Sequence, residues 1–214
     1  MSRPGPLALS FVFLLAVAPL EAADSAPDEA RARLRTYLTA NGGQLTDELV
    51  RAARDRGHFC VRCHGEDGMS SMPLVPNLAG QNAYYLLEQI ERFASGARSD
   101  HIMTPLARQL APDDRALLAF YYASQRPRPH AIEATLKQRG EARYRQICVA
   151  CHGSDARGGE QYARLASQHP EYLRRRLYQF QSRTDREGSV MTGIARSLSD
   201  EDISVIAAYL ASLP

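Results

Sequence analysis

Ile203, Ile206, Ala207 and Leu210 recur at the spacing of one helix face. Ser199-Asp200-Glu201-Asp202 stands just ahead of them and reads as a capping-box start. The same pattern occurs earlier, where a helix begins near Pro112-Asp113 and carries Leu117, Phe120 and Tyr121. Gly140, Tyr144 and Cys148 step by four and predict a helix running into Cys148. A further helix is predicted from about Pro27 to Ala40, with Ala30, Leu34, Tyr37 and Leu38 packing on the first domain. Gln125-Arg126-Pro127-Arg128-Pro129 breaks the helical pattern, because two prolines one apart forbid a helix there. The chain therefore reads as all-α, helices joined by loops.

The N-terminus carries a different pattern. Met1-Ser2-Arg3 precedes an apolar run from Leu7 to Leu20, followed by Glu21-Ala22-Ala23-Asp24. A basic start, a short apolar core and small residues make a secretory signal peptide, with cleavage expected after Ala22 or Ala23. The run is shorter than the roughly 20 residues a bilayer-spanning helix needs, and there is no second hydrophobic stretch. The mature chain is thus expected to have no transmembrane segment and to reside in the periplasm. About 190 residues then remain, enough for two small domains. The formal charge is only +2, which argues against a nucleic-acid partner. Lys137 is the single lysine, so a docking patch must use arginine or acidic residues.

All four cysteines fall in two copies of one motif, Cys60-Val61-Arg62-Cys63-His64 and Cys148-Val149-Ala150-Cys151-His152. Cys-x-x-Cys-His is a c-type haem attachment sequence. Each thiol adds to one vinyl group, and the adjacent histidine is held beneath the iron. A thioredoxin-like pair would want a βαβ pattern nearby, and the flanks are helical. A zinc site built from two Cys-x-x-Cys pairs has a usual gap of roughly 15–20 residues, far below the 88 positions from Cys60 to Cys148. Two covalently bound haem c groups are therefore expected, on Cys60 and Cys63 and on Cys148 and Cys151.

The two halves agree beyond the motif. A step of 88 carries Met103 onto Met191, Leu106-Ala107-Arg108 onto Ile194-Ala195-Arg196, and Tyr121 onto Tyr209. A step of 87 carries Leu78-Ala79-Gly80-Gln81 onto Leu165-Ala166-Ser167-Gln168. Two repeats of this length are two domains with one haem each. Iron in c-type carriers is held by histidine and methionine. His64 to Met103 and His152 to Met191 are both 39 positions, which makes His64, Met103, His152 and Met191 the expected iron ligands. Met69 and Met72 compete with Met103, but both lie within eight positions of His64 and have no counterpart in the second half. His58, His101, His130 and His169 read as surface histidines or hydrogen-bonding groups, and His101 is the one substitute for Met103.

With these motifs, Pro76-Asn77-Leu78-Ala79-Gly80-Gln81 and the two closing helices, the chain resembles dihaem cytochromes c of the c4 type, over roughly Thr46 to Pro214. The resemblance implies tandem class I cytochrome c domains with facing haems, His64/Met103 and His152/Met191 ligation, and periplasmic electron transfer, often towards a terminal oxidase. The expected division is 1–23 signal peptide, 24–45 N-terminal extension, 46–125 first domain, 126–130 linker and 131–214 second domain. Departures from the family pattern are Ala52 and Arg56 where the second half has Gly140 and Tyr144, Ser167 in place of glycine, and a long N-terminal extension. An electron carrier, not an enzyme, is expected, exchanging electrons with donor and acceptor proteins such as membrane respiratory complexes. The alternative is the electron-accepting subunit of a sulfide, thiosulfate or alcohol dehydrogenase. A dihaem peroxidase would need one iron with a displaceable ligand, and a methionine is available in both halves.

Overall fold

A computed structural model describes residues 26–182 and 190–214; the expected signal peptide lies outside them. The described residues form helices and loops with no strand. The first half comprises α1 (Ala26–Thr39), a 3-10 turn (Ala40–Gly43), α2 (Asp47–Arg56), α3 (Val61–His64), α4 (Ala83–Ser95), α5 (Met103–Gln109) and α6 (Pro112–Ala123). The second comprises α7 (Ala134–Ile147), α8 (Val149–His152), α9 (Pro170–Gln181), α10 (Val190–Arg196) and α11 (Asp200–Ala211). The order α2 to α6 repeats as α7 to α11.

Local chemistry sets the helix ends. The Thr46 hydroxyl accepts from the Leu49 N–H (3.2 Å), and the Asn82 side chain accepts from Tyr84 and Tyr85 (3.0 and 3.2 Å). At α11 the capping box is complete in both directions, Ser199 Oγ accepting from Asp202 and Asp202 accepting from the Ser199 N–H. Gly96 ends α4 in the left-handed conformation (φ 85°), which costs glycine nothing.

Each half has its own apolar core built on its closing helix. Ala116 to Tyr122 of α6 are all buried, as are Ile203 and Val205 to Ala211 of α11. In the second half α7 lies on α11, and Gly140 is why it can. A Cβ there would sit 2.0 Å from the Val205 carbonyl oxygen and 2.6 Å from Tyr209 Cβ.

The first half solves the same problem with a different segment. The helix that covers α6 most extensively is α1, which precedes the repeat. Ala30 and Leu34 are fully buried in the first core. The Tyr37 ring stacks on Phe120 with centroids 5.7 Å apart, and its hydroxyl donates to Asp113 (3.1 Å). Arg33 pairs with the same carboxylate at 2.5 Å. The extra helix expected from the sequence is therefore a structural member of the first core. Tyr37→Phe keeps the stacking and removes the hydroxyl bond. It should lower stability by about 1 kcal/mol, read from the urea midpoint of the holoprotein.

The two halves meet along Ser70 to Gln81 on one side and Arg164 to His169 on the other. Between α6 and α7 the chain is irregular and held to both halves. Arg128 pairs with Asp67 (2.6 Å), and the His130 N–H donates to the Ala211 carbonyl (2.8 Å).

Candidate haem-attachment sites

Helices α3 and α8 are single turns with the two motifs wound into them. A helical turn places residues i, i+3 and i+4 on one face. Cys60, Cys63 and His64 stand in that relation, and so do Cys148, Cys151 and His152. The turn is closed by the His64 N–H on the Cys60 carbonyl (2.9 Å) and the His152 N–H on the Cys148 carbonyl (3.0 Å). Gly65 and Gly153 then leave the turn at φ 77° and 79°, a region that side chains with a Cβ rarely adopt. At Gly65 a Cβ would also stand 2.4 Å from the Met69 carbonyl oxygen.

Both histidines point inward. His64 is 6% exposed and His152 9%. Nδ1 of His64 donates to the Pro76 carbonyl and Nδ1 of His152 to the Ala163 carbonyl, each at 2.9 Å. That bond fixes the tautomer and leaves Nε2 as the lone-pair nitrogen, the arrangement a metal-bound imidazole requires. Burial pushes both imidazoles below the ordinary histidine range, so both are neutral at pH 7.

Burial pushes the Cys60 thiol up and the Cys148 thiol up to about 11. A reactive Cys-x-x-Cys pair needs the opposite shift. Among the described residues no three His, Cys, Asp or Glu side chains converge on a point where a metal ion could sit. Each turn offers two thiols and one buried imidazole nitrogen on one face, a donor set that fits a haem iron, which brings its own macrocycle. Buried donors without a protein partner fit it too. The Tyr122 hydroxyl, whose neighbours include Cys60, and Arg164 Nε are both of this kind. The haem carboxylates are groups that could accept from such donors.

Met103 opens α5 and Met191 is the second residue of α10; both are half-buried. Their helices pack on α4 and α9 respectively. The Asp100 carboxylate accepts from the Ile102 and Met103 N–H groups (2.9 Å each) and fixes the turn that presents Met103. Gln181 holds α10 in place by donating to the Ala195 and Leu198 carbonyls (2.9 Å each). Of the rivals, Met72 is 46% exposed and His101 is exposed. Met69 lies on the loop immediately after His64. His169 is buried, its Nε2 donating to the Ser70 carbonyl (2.9 Å), and its ring lies 5.0 Å from that of His130.

The carbonyls of Pro76 and Ala163 are functional groups that residue types could not reveal. Every residue has a carbonyl, and only the fold brings these two to the histidines. Their place one residue before Asn77 and Arg164, equivalent in the repeat, was the available signal.

Comparison with known proteins finds c-type cytochromes. The family model described as cytochrome C oxidase, cbb3-type, subunit III matches residues 135–210. A cytochrome c4 of Thiocapsa roseopersicina is 34% identical over 183 residues, covering 79% of this chain and 94% of that relative. A thiosulfate dehydrogenase electron acceptor of Stutzerimonas stutzeri (strain A1501) is 36% identical over 170 residues, covering 72% and 78%. Among solved structures, reduced recombinant cytochrome c4 from Pseudomonas stutzeri superposes with a TM-score of 0.71 at 28% identity, covering 77% of this chain and 98% of that one.

Proposed function

The chain belongs to the cytochrome c4 family and is a dihaem electron-transfer cytochrome of tandem class I domains, and from that premise we propose which of its residues carry the work. Cys60 and Cys63 attach the first haem and Cys148 and Cys151 the second. His64 and Met103 would hold one iron, and His152 and Met191 the other. A haem held at each site would supply a one-electron ferrous/ferric couple. The protein's part is to saturate each iron, to bury it, and to fix the imidazole through the Pro76 or Ala163 carbonyl. No side chain is needed as acid, base or nucleophile, so the chain carries electrons without turning over a substrate.

The observation that carries this reading is the matched pair of buried histidines, each pinned at Nδ1 by a carbonyl with Nε2 left for iron. The domains run from 46 to 125 and from 131 to 214, with 24–45 as an N-terminal extension whose helix α1 packs on the first and 126–130 linking them. Residues 1–23 act as an export signal and the mature chain works in the periplasm. No helix of the described residues is long and apolar enough to cross a membrane. Its partners are redox proteins, with a membrane respiratory complex as acceptor. A second reading is favoured by the thiosulfate dehydrogenase electron acceptor among its relatives. In that case a dehydrogenase is the donor and would co-purify with the chain from its source.

Methionine ligation has a direct test. The oxidised protein should show the sulfur-to-iron absorption band at the red end of the visible spectrum. Met103→Ala and Met191→Ala should each remove about half of it, and potentiometric titration should show one potential lowered in each variant. Spectra unchanged in both variants would reject the assignment and make His101 the next residue to replace. The native reduced protein should bind carbon monoxide slowly, because methionine must first leave.

A further inference from the structure

The contact between the halves contains two reciprocal clamps related by the internal repeat. Gln168 Oε1 accepts from the Asn77 N–H (2.8 Å), and its Nε2 donates to the Asn77 carbonyl (2.9 Å). Gln81 does the same in reverse. Its Oε1 accepts from the Arg164 N–H (2.6 Å), and its Nε2 donates to the Arg164 carbonyl (2.9 Å). The step of 87 that carries Gln81 onto Gln168 also carries Asn77 onto Arg164. A primary amide has one acceptor and one donor side by side, so it can satisfy both backbone groups of a single residue.

The clamped residues are special because of what precedes them. Asn77 comes directly after Pro76, whose carbonyl holds His64, and Arg164 directly after Ala163, whose carbonyl holds His152. Each glutamine therefore grips, in the opposite half, the N–H of the very peptide whose carbonyl orients the proximal imidazole, and the carbonyl of the peptide after it. Gln81, Gln168 and Asn77 are all buried. Losing one glutamine amide would leave a buried backbone N–H and C=O without partners. Asn77 adds rigidity, accepting from the Ser70 N–H (2.9 Å) and donating to the Ser167 carbonyl across the contact (2.8 Å).

We propose that Gln81 and Gln168 are positioning residues that couple the two haem sites crosswise, each setting the proximal-histidine hydrogen bond of the half it does not belong to. The strength of that bond sets imidazole basicity and orientation, and through them the iron. A glutamine in one half thereby tunes the haem of the other. This rests on His64 and His152 being the proximal ligands.

The test uses the reduced holoprotein with 15N-labelled histidine. The Nδ1–H resonances of His64 and His152 are assigned by their contacts with Pro76 and Ala163. In the wild-type protein both rings must show through-space contacts to haem protons; if they do not, the ligand assignment fails. Given those contacts, Gln168→Met should shift the His64 resonance and leave His152 in place. Gln81→Met should do the converse, and the potential of the crossed haem should move with its histidine. A shift confined to the variant's own half, equal shifts at both histidines, or no shift would overturn the coupling. Should the variants fail to fold, hydrogen exchange of the wild-type protein decides. The Asn77 and Arg164 amides should be among its slowest, and exchange at unprotected rates would refute the clamps.

Discussion

Produced in a host that attaches haem c, a Cys148→Ala/Cys151→Ala double variant will hold one covalent haem where the parent holds two. After acid–acetone extraction, the mass of the denatured parent will exceed that of its polypeptide by two haems and that of the variant by one. Cys60→Ala/Cys63→Ala will give the complementary result. The physical reason lies in α3 and α8. Each single turn puts its two thiols and its histidine on one face, and no other cysteine exists to take their place. The half that loses its haem also loses apolar volume that a domain of this size cannot easily replace. It should unfold first on heating, while the other half keeps its spectrum. Two haems surviving extraction in either double variant would defeat the attachment assignment.

Gly140→Ala is expected to be among the most damaging single substitutions in the second half, although it adds only one methyl group. That methyl would stand 2.0 Å from a backbone oxygen of α11, and no rotamer change relieves a clash with backbone. Separating α7 from α11 is the alternative, and it would open a core containing Tyr144, Ile203, Ile206 and Tyr209. Overpacking typically costs about 1–3 kcal/mol and occasionally more; a clash with fixed backbone belongs at or beyond the upper end. Tyr144 transmits the damage, because its hydroxyl donates to the Gly153 carbonyl (2.6 Å) just after the second attachment turn. Loss of stability should therefore come with a disturbed spectrum at the second haem only. Gly193→Ala is the control. It lies in α10 with nothing among the described residues within 4 Å of an added Cβ, and should stabilise by up to about 1 kcal/mol through helix propensity. If both variants unfold alike, close helix approach is not what Gly140 provides.

The chemistry was legible in the sequence where it depends on side-chain identity at short range. Cys-x-x-Cys-His, the capping box at Ser199 and the helix through Ala30 and Leu34 are local patterns, and the helices and the cap stand where those patterns place them. The internal repeat pointed to equivalent positions, including Gln81 and Gln168, without saying what either does. Their partners are backbone groups of the opposite half, which no residue pattern encodes. The same limit applies to Pro76 and Ala163. Ser167 replaces a glycine of the motif, yet it adopts the left-handed conformation (φ 61°) that Gly80 adopts (φ 65°). Its hydroxyl donates to the Leu213 carbonyl (2.6 Å), a local compensation that only the folded chain displays. The absence of glycine at Ala52 also finds its reason in three dimensions, since α1 and not α2 provides most of the cover for α6.

That division of labour makes the halves unequal as modules. A gene fragment beginning at residue 131 encodes a second half complete with the helix that closes it. One beginning at the matching point of the first repeat would leave Phe120 without Tyr37 and the first core without Leu34. A chimera that exchanges the two halves between paralogues must therefore move residues 26–45 together with the first half, however well the shorter boundary aligns.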